Sequence, residues 1–205
     1  EHHFVARVVK WVNDGGVWVT GPLTDIRTSI GTKYKNSPYG SLEEITDATL
    51  CYTLPDDEGR ITLENKDGEN VHGSGIYELF EMGEFEPWLT VKDGHSALIG
   101  KCAAFLKQIG KGYIVVLGTM PESGELSRII KRAAALANAS VYDTDDGVMI
   151  TKRVGENGTL YIAASVGGNT GEFRFDGEFT DIISGDVYKD RIKFEPYELH
   201  VLKKA

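Results

Sequence analysis

Residues 98–137 read LIGKCAAFLKQIGKGYIVVLGTMPESGELSRIIKRAAALA. Two apolar runs, 98–109 and 113–117, flank Gly110-Lys111-Gly112, and glycine punctuation between such runs predicts a hairpin. Downstream, Leu126, Ile129, Ile130, Ala133 and Ala137 recur at helical spacing and predict one apolar helix face. Pro121 suits the first turn, where its missing N–H costs nothing, and Glu122 and Glu125 suit the positive end of the helix. Arg128, Lys131 and Arg132 fall on the opposite side. A helix of this kind beside apolar strands packs on a sheet, so residues 1–140 are expected to be an α/β domain.

Upstream, Phe4, Val5, Val8, Val9 and Val12 predict a helix over residues 4–12 that stops at Gly15-Gly16. Val17-Trp18-Val19 is a short apolar strand ending at Gly21-Pro22. A chain that opens inside a helix with no capping residue reads as part of something longer. Residues 21–36 are polar and rich in turn formers, the composition of a long functional or contact loop. Ser41 then opens a short helix, with Glu44 completing a capping box. Strands are expected at 49–54 and 61–63, a loop over 65–75, and an apolar stretch around Ile76, Leu79 and Phe80.

After Asn138 the texture changes. Short runs such as Val148-Met149-Ile150, Leu160-Tyr161-Ile162, Phe173-Arg174-Phe175, Thr180-Asp181-Ile182, Ile192-Lys193-Phe194 and Leu199-His200-Val201 are separated by Gly, Asn and Asp. No helical period runs through them. Residues 141–205 are therefore expected to form a small all-β antiparallel domain, a sandwich or a barrel.

The composition narrows the function. The 205 residues are 41% apolar and carry a net charge of −9, which argues for a globular chain over a disordered one. No apolar run reaches the ~18 residues of a membrane span, so no membrane partner is expected. An acidic chain with no basic patch repels phosphate backbones, which excludes nucleic acid as a partner. Only two cysteines, Cys51 and Cys102, are present, far apart and without metal-site spacing. Each reads as a buried inert thiol. His72, His95 and His200 are isolated, and His2-His3 is a poor chelate, so neither metal nor cofactor is expected. Glu78, Glu81, Glu84 and Glu86 cluster, but Gly83 and Pro87 interrupt any regular frame, and they read as a solvated acidic surface rather than a catalytic pair. No residue is assigned a catalytic role. The loop directly after the first strand, where α/β proteins place ligands and contacts, supplies Thr24, Asp25 and Arg27 as candidate contact residues. Arg27 is the one singled out, against the plainer reading that it ties its own loop. Trp88, after Pro87, reads as an exposed aromatic and Trp18 as core.

Taken in order, the opening helix, Gly15-Gly16, Val17-Trp18-Val19, Gly21-Pro22-Leu23-Thr24, Arg27-Thr28, Gly110-Lys111-Gly112 and Leu117-Gly118-Thr119 resemble the middle, trimerisation domain of glycoside hydrolase family 42 β-galactosidases. The tail, through Arg153-Val154, Leu160-Tyr161-Ile162 and the closing Pro196-Tyr197-Glu198-Leu199-His200-Val201-Leu202, is similar to the family's small C-terminal β domain. The chain departs from the family over 31–39 and at Ile162-Ala163-Ala164-Ser165. The resemblance implies a flavodoxin-like or glutamine-amidotransferase-like sheet, truncated at its front. It also implies a parent enzyme that hydrolyses terminal β-galactosides with retention, using two glutamates on an upstream (β/α)8 barrel. Such a barrel takes about 250 residues, none of them present here, so no glutamate of this chain inherits either role. The expected partners are further copies of the chain, as a trimer in the parent, the catalytic barrel, and galactoside through the parent. The compartment stays open between cytoplasm and periplasm. An alternative from another class is a stand-alone amidotransferase-like ligand-binding or enzymatic module, which would need a reactive cysteine. A third, a carbohydrate-binding β module, would use aromatics such as Tyr161, Phe173, Phe175, Phe179, Tyr188 and Tyr197.

Overall fold

A computed structural model gives the fold and describes residues 2–28, 30–36, 40–56 and 58–204, with the side chains of His2 and His3 outside that description. The chain divides into two units, the first ending at Ala139 and the second beginning at Ser140. In the first, α1 (His2–Asn13) leads to β1 (Val17–Thr20), the long loop, and α2 (Ser41–Thr46). Then come β2 (Leu50–Pro55), β3 (Thr62–Asn65), β4 (Asn70–Val71), β5 (Gly73–Ser74), β6 (Ile76–Phe80) and β7 (Glu86–Asp93). The predicted hairpin is β8 (Cys102–Ile109) and β9 (Gly112–Leu117), and β10 (Met120–Pro121) precedes α3 (Ser123–Leu136).

Eight of these strands make one sheet in the order β1-β9-β8-β7-β3-β4, with β6 joining β2 to β8. Only β1 and β9 run parallel; the other pairings in this sheet are antiparallel. A two-residue turn that sets Ile109 opposite Gly112 can only return the chain antiparallel, whereas a parallel neighbour needs a long crossover. The first unit is therefore mostly antiparallel sheet, a correction to the parallel sheet that a flavodoxin-like domain would carry. Helices still cover both faces around the parallel pair. Val115 and Leu117, with Val17 and Val19, pack in the cluster that holds Ile129 and Ala133 of α3. Ile114, Val116 and Trp18 pack in a second cluster with Val8 and Val12 of α1. Burial on both faces is why 113–117 reads as an unbroken apolar run. Gly112 has a local reason to be glycine: a Cβ there would lie 2.1 Å from the carbonyl oxygens of Val12 and Gly16, where the end of α1 crosses the strand.

Three local expectations change. Pro121 lies outside α3, paired with Gly73 in the β10–β5 bridge, because the helix begins two residues later. The inward stripe of α3 is Glu125, Leu126, Ile129 and Ala133, while Ile130 and Ala137 are exposed. Glu125 is tolerated inside because Asn65 Nδ2 donates to it at 3.0 Å and Arg128 sits 3.4 Å away. Trp88 is buried, not exposed: its indole N–H donates to Glu86 at 3.2 Å and the Arg132 guanidinium lies 5.9 Å over its ring.

The second unit has β11 (Asp143–Thr144), β12 (Val148–Gly155), β13 (Gly158–Ser165), β14 (Gly171–Asp181), β15 (Val187–Phe194) and β16 (Leu199–Lys204). All six strands are antiparallel and join in a single hydrogen-bonded sheet, ordered β11-β14-β16-β13-β12 with β15 on β14. A sandwich would place them in two. The cause is β14, expected as two strands around 173–175 and 180–182 but formed as one. A register shift between Arg174 and Glu178 lets its first half pair with β11 and its second with β16, while β15 follows both. Phe173, Phe175 and Phe179 of this strand meet Tyr142 and Tyr161 in the core, at ring separations of 4.7–6.1 Å. Of the aromatics that a sugar-binding surface would use, Tyr197 is the one exposed, at 76%.

Candidate functional site

The loop after β1 is built from its own backbone. Leu23 and Asp25 both hold left-handed φ, 63° and 61°, which is costly for leucine and mild for aspartate. Those two turns fold residues 21–25 back on themselves, with Thr24 Oγ1 donating to the Gly21 carbonyl at 2.7 Å. The next residues close a tight excursion. Thr28 N donates to Thr32 O and Gly31 N to Thr28 O, both at 2.8 Å, and Arg27 pairs with Lys33 as a β-bridge.

The three candidate residues share this loop but do not converge on one point. Arg27 Nη1 donates to the Gly31 carbonyl at 2.8 Å, so the guanidinium ties its own loop. Asp25 reaches across the chain: its Oδ2 accepts the N–H of Leu42 at 2.9 Å and caps α2. This replaces the expected capping box, for the N-cap position is Gly40 and makes no side-chain bond. A carboxylate at a helix N-terminus satisfies an orphan donor and meets the positive end of the dipole. Apolar side chains of α1 and α2, including Phe4, Val8, Leu42 and Ile45, line a cavity of about 220 Å³ beside Thr24 and Asp25.

The residue that sequence reasoning missed is Glu78. It sits in β6 and is only 5% exposed. Oε2 accepts the Leu23 N–H at 2.8 Å, tying the loop to the sheet. Oε1 is buried without a hydrogen-bond partner among the described residues. A cavity of about 30 Å³ lies beside it, lined by Thr24, Ile26, Glu43, Thr46, Phe80 and Phe105 among others. Burial pushes the Glu78 carboxyl above the usual carboxylate range, against the Leu23 N–H and the Lys33 charge, which pull it down. The available signal was a glutamate inside Ile76-Tyr77-Glu78-Leu79-Phe80, a run too apolar for a solvated strand. Its neighbours in sequence behave as expected of surface acids: Glu81 holds Lys101 at 2.6 Å, Glu86 holds Lys66, and Glu84 is exposed.

Neither thiol is poised to react. Burial pushes Cys102 up to about 12, and burial together with Glu81 raises Cys51. His95 Nδ1 accepts the Ala97 N–H, and His200 is committed to Asp181 at 2.7 Å inside the second unit. Among the described residues no three His, Cys, Asp or Glu side chains stand close enough to hold a metal ion. Nor is any described helix long and apolar enough to cross a membrane.

Residues 1–141 match the family model described as the β-galactosidase trimerisation domain. This chain belongs to that family. The trimerisation-domain match covers both helical layers and the whole first sheet. Two β-galactosidases named YesZ align over nearly all of the chain, from Bacillus licheniformis at 28% identity over 204 residues and from Bacillus subtilis at 27% over 207. These alignments cover 97% and 98% of this chain but 30% and 31% of those proteins. The chain thus spans under a third of the curated relatives it matches. The β-galactosidase structure from Bacillus circulans sp. alkalophilus superposes with a TM-score of 0.85 at 14% identity, over 98% of this chain and 31% of that one. At that identity the likeness speaks for the fold, and it includes the β unit beyond the family-model match. With both thiols raised and the trimerisation domain matched, the amidotransferase-like alternative is not favoured.

Proposed function

We propose that this chain is the non-catalytic assembly region of a β-galactosidase. Residues 1–140 form the self-associating domain and 141–205 the small C-terminal β domain, and catalysis belongs to a barrel elsewhere in the parent. The observation that carries this is the trimerisation-domain match over residues 1–141, supported by the alignment of the whole chain to the YesZ β-galactosidases. Within the first domain, the parallel β1–β9 pair with α1 and α3 on opposite faces is the part that supports a flavodoxin-like reading. The 21–36 loop, through Thr24, Asp25 and Arg27, faces a neighbouring subunit or the substrate cleft of the parent.

Light scattering on the purified chain at tens of micromolar tests the assembly reading, with three chain masses expected. A clean monomer at every concentration refutes self-sufficient assembly. The same sample should leave a chromogenic β-galactoside uncleaved, and turnover that survives repurification would overturn the non-catalytic assignment. Arg27→Ala, a change at an exposed side chain, should weaken the trimer if the loop is a contact.

A further inference from the structure

Glu78 is an unusual anchor for a surface loop. It offers one oxygen to the Leu23 N–H at 2.8 Å and leaves the other buried, without a partner among the described residues, beside a cavity of about 30 Å³. That space holds about one or two waters, fewer than a carboxylate charge gathers in bulk water. The charged groups facing this carboxyl are few. Lys33, from the loop, is the favourable one, and Glu43, from α2, lines the same cavity while accepting the Leu50 N–H at 2.8 Å. From β6, β8 and β9 the wall is apolar: Phe80, Phe105 and Val116. The hydroxyls of Thr24 and Thr46 are already committed to the carbonyls of Gly21 and Leu42. The segment that Glu78 holds, meanwhile, keeps a leucine in left-handed backbone.

We propose that Glu78 is a proton-controlled latch: protonated, it seats residues 21–28 on the sheet, and ionised, it releases them. In the seated form the proton rests on the unpartnered Oε1 and Oε2 still accepts from Leu23. Ionisation leaves a charge that one N–H and one lysine do not offset in so small a space, and lifting the loop brings water to it. The sign follows from linkage. Burial raises the affinity of the seated form for the proton above that of the released, solvated form, so protons favour seating. The proton's contribution to seating is fully present below the ordinary glutamate value of about 4.3 and is lost as pH rises through the raised value of the seated form. The latch itself needs no partner; any consequence for assembly rests on the contact reading above.

Hydrogen exchange by mass spectrometry on the full chain between about pH 4.5 and 8, corrected for the intrinsic pH dependence of exchange, tests this. Protection of residues 23–28 should fall about tenfold or more across that range. In Glu78→Gln it should stay at the low-pH level throughout. Lys33→Met, a change at an exposed side chain, removes the charge that favours ionisation and should move the transition to higher pH. Flat protection in the unmodified chain overturns the latch, as does an unchanged pH profile in Glu78→Gln. Should that variant fail to fold, a transition that Lys33→Met leaves in place overturns it equally. Light scattering on the same samples separates the two readings: protection that falls while the assembled mass holds supports the latch and counts against the loop as a subunit contact.

Discussion

Replacing Asp25 separates two terms that the structure superimposes at one residue. Its carboxylate accepts the Leu42 N–H at the start of α2, and its backbone sits at φ 61°. Asp25→Asn keeps an acceptor and a side chain that tolerates the left-handed region, so the cost should be within about 0.5 kcal/mol. Asp25→Gly keeps the backbone but loses the cap, about 1 kcal/mol, and adds the freedom of an unfolded glycine, about 0.5–1 kcal/mol. Asp25→Ala loses the cap and must also hold a Cβ in left-handed backbone, a further ~1–2 kcal/mol, for a total of about 2–3 kcal/mol. The half-buried position of Asp25 draws the cap term towards the lower end, since water can replace part of it. In a chain of this length, 1 kcal/mol moves Tm by about 2–4 °C, so Asp25→Ala should melt roughly 5–10 °C early. Tryptophan fluorescence is a suitable readout, because Trp11, Trp18 and Trp88 all lie in the first unit and Trp18 lines the same cavity as Asp25 and Leu42. Exchange at the Leu42 amide should rise in Gly and Ala but not in Asn. An alanine variant as stable as the glycine variant would refute the backbone term, and unchanged Leu42 exchange would refute the cap.

Gly112→Ala should push the end of α1 away from β9, because the new Cβ would lie 2.1 Å from two backbone oxygens, at a cost of about 1–3 kcal/mol in urea melts; unchanged stability would place the crossing elsewhere. Burial raises the Asp181 carboxyl, but the Ile183 N–H, His200 and the Val201 N–H outweigh it and leave the value low. Its contribution is therefore present above about pH 4 and lost as pH falls below, and Asp181→Asn should flatten the acid limb of tyrosine-detected melts relative to the unmodified chain. At pH 8 a charged alkylating reagent should leave Cys102 untouched in the folded chain and modify Cys51 more slowly than a free thiol, with both reacting in denaturant; rapid labelling of Cys102 would contradict its burial.

What residues 1–205 settle by themselves is whatever their near neighbours encode. The β8–β9 hairpin was legible because two apolar runs meet at a two-residue glycine turn, and α3 because a 3.6-residue period is a local pattern. Most strands of the second unit were legible from their local apolar runs, though the two expected around 173–175 and 180–182 form one strand, and so was the family, whose signature lies in the order of short motifs. Tertiary structure decided what depends on distant partners. Asp25 caps a helix 17 residues away although Ser41 stood at its start, and Glu78 meets a loop 55 residues earlier. Trp88 goes inside because Arg132 of α3 lies over it, and Glu125 does because Asn65 is there to donate. The strand directions belong to this second group as well, since short runs of apolar residues specify a strand but not which neighbour it will find. Local propensity is carried by the adjacent covalent chain, whereas the burial of a charge or an indole is allowed only when a partner arrives from elsewhere in the fold, and that arrival is written in no single stretch of sequence.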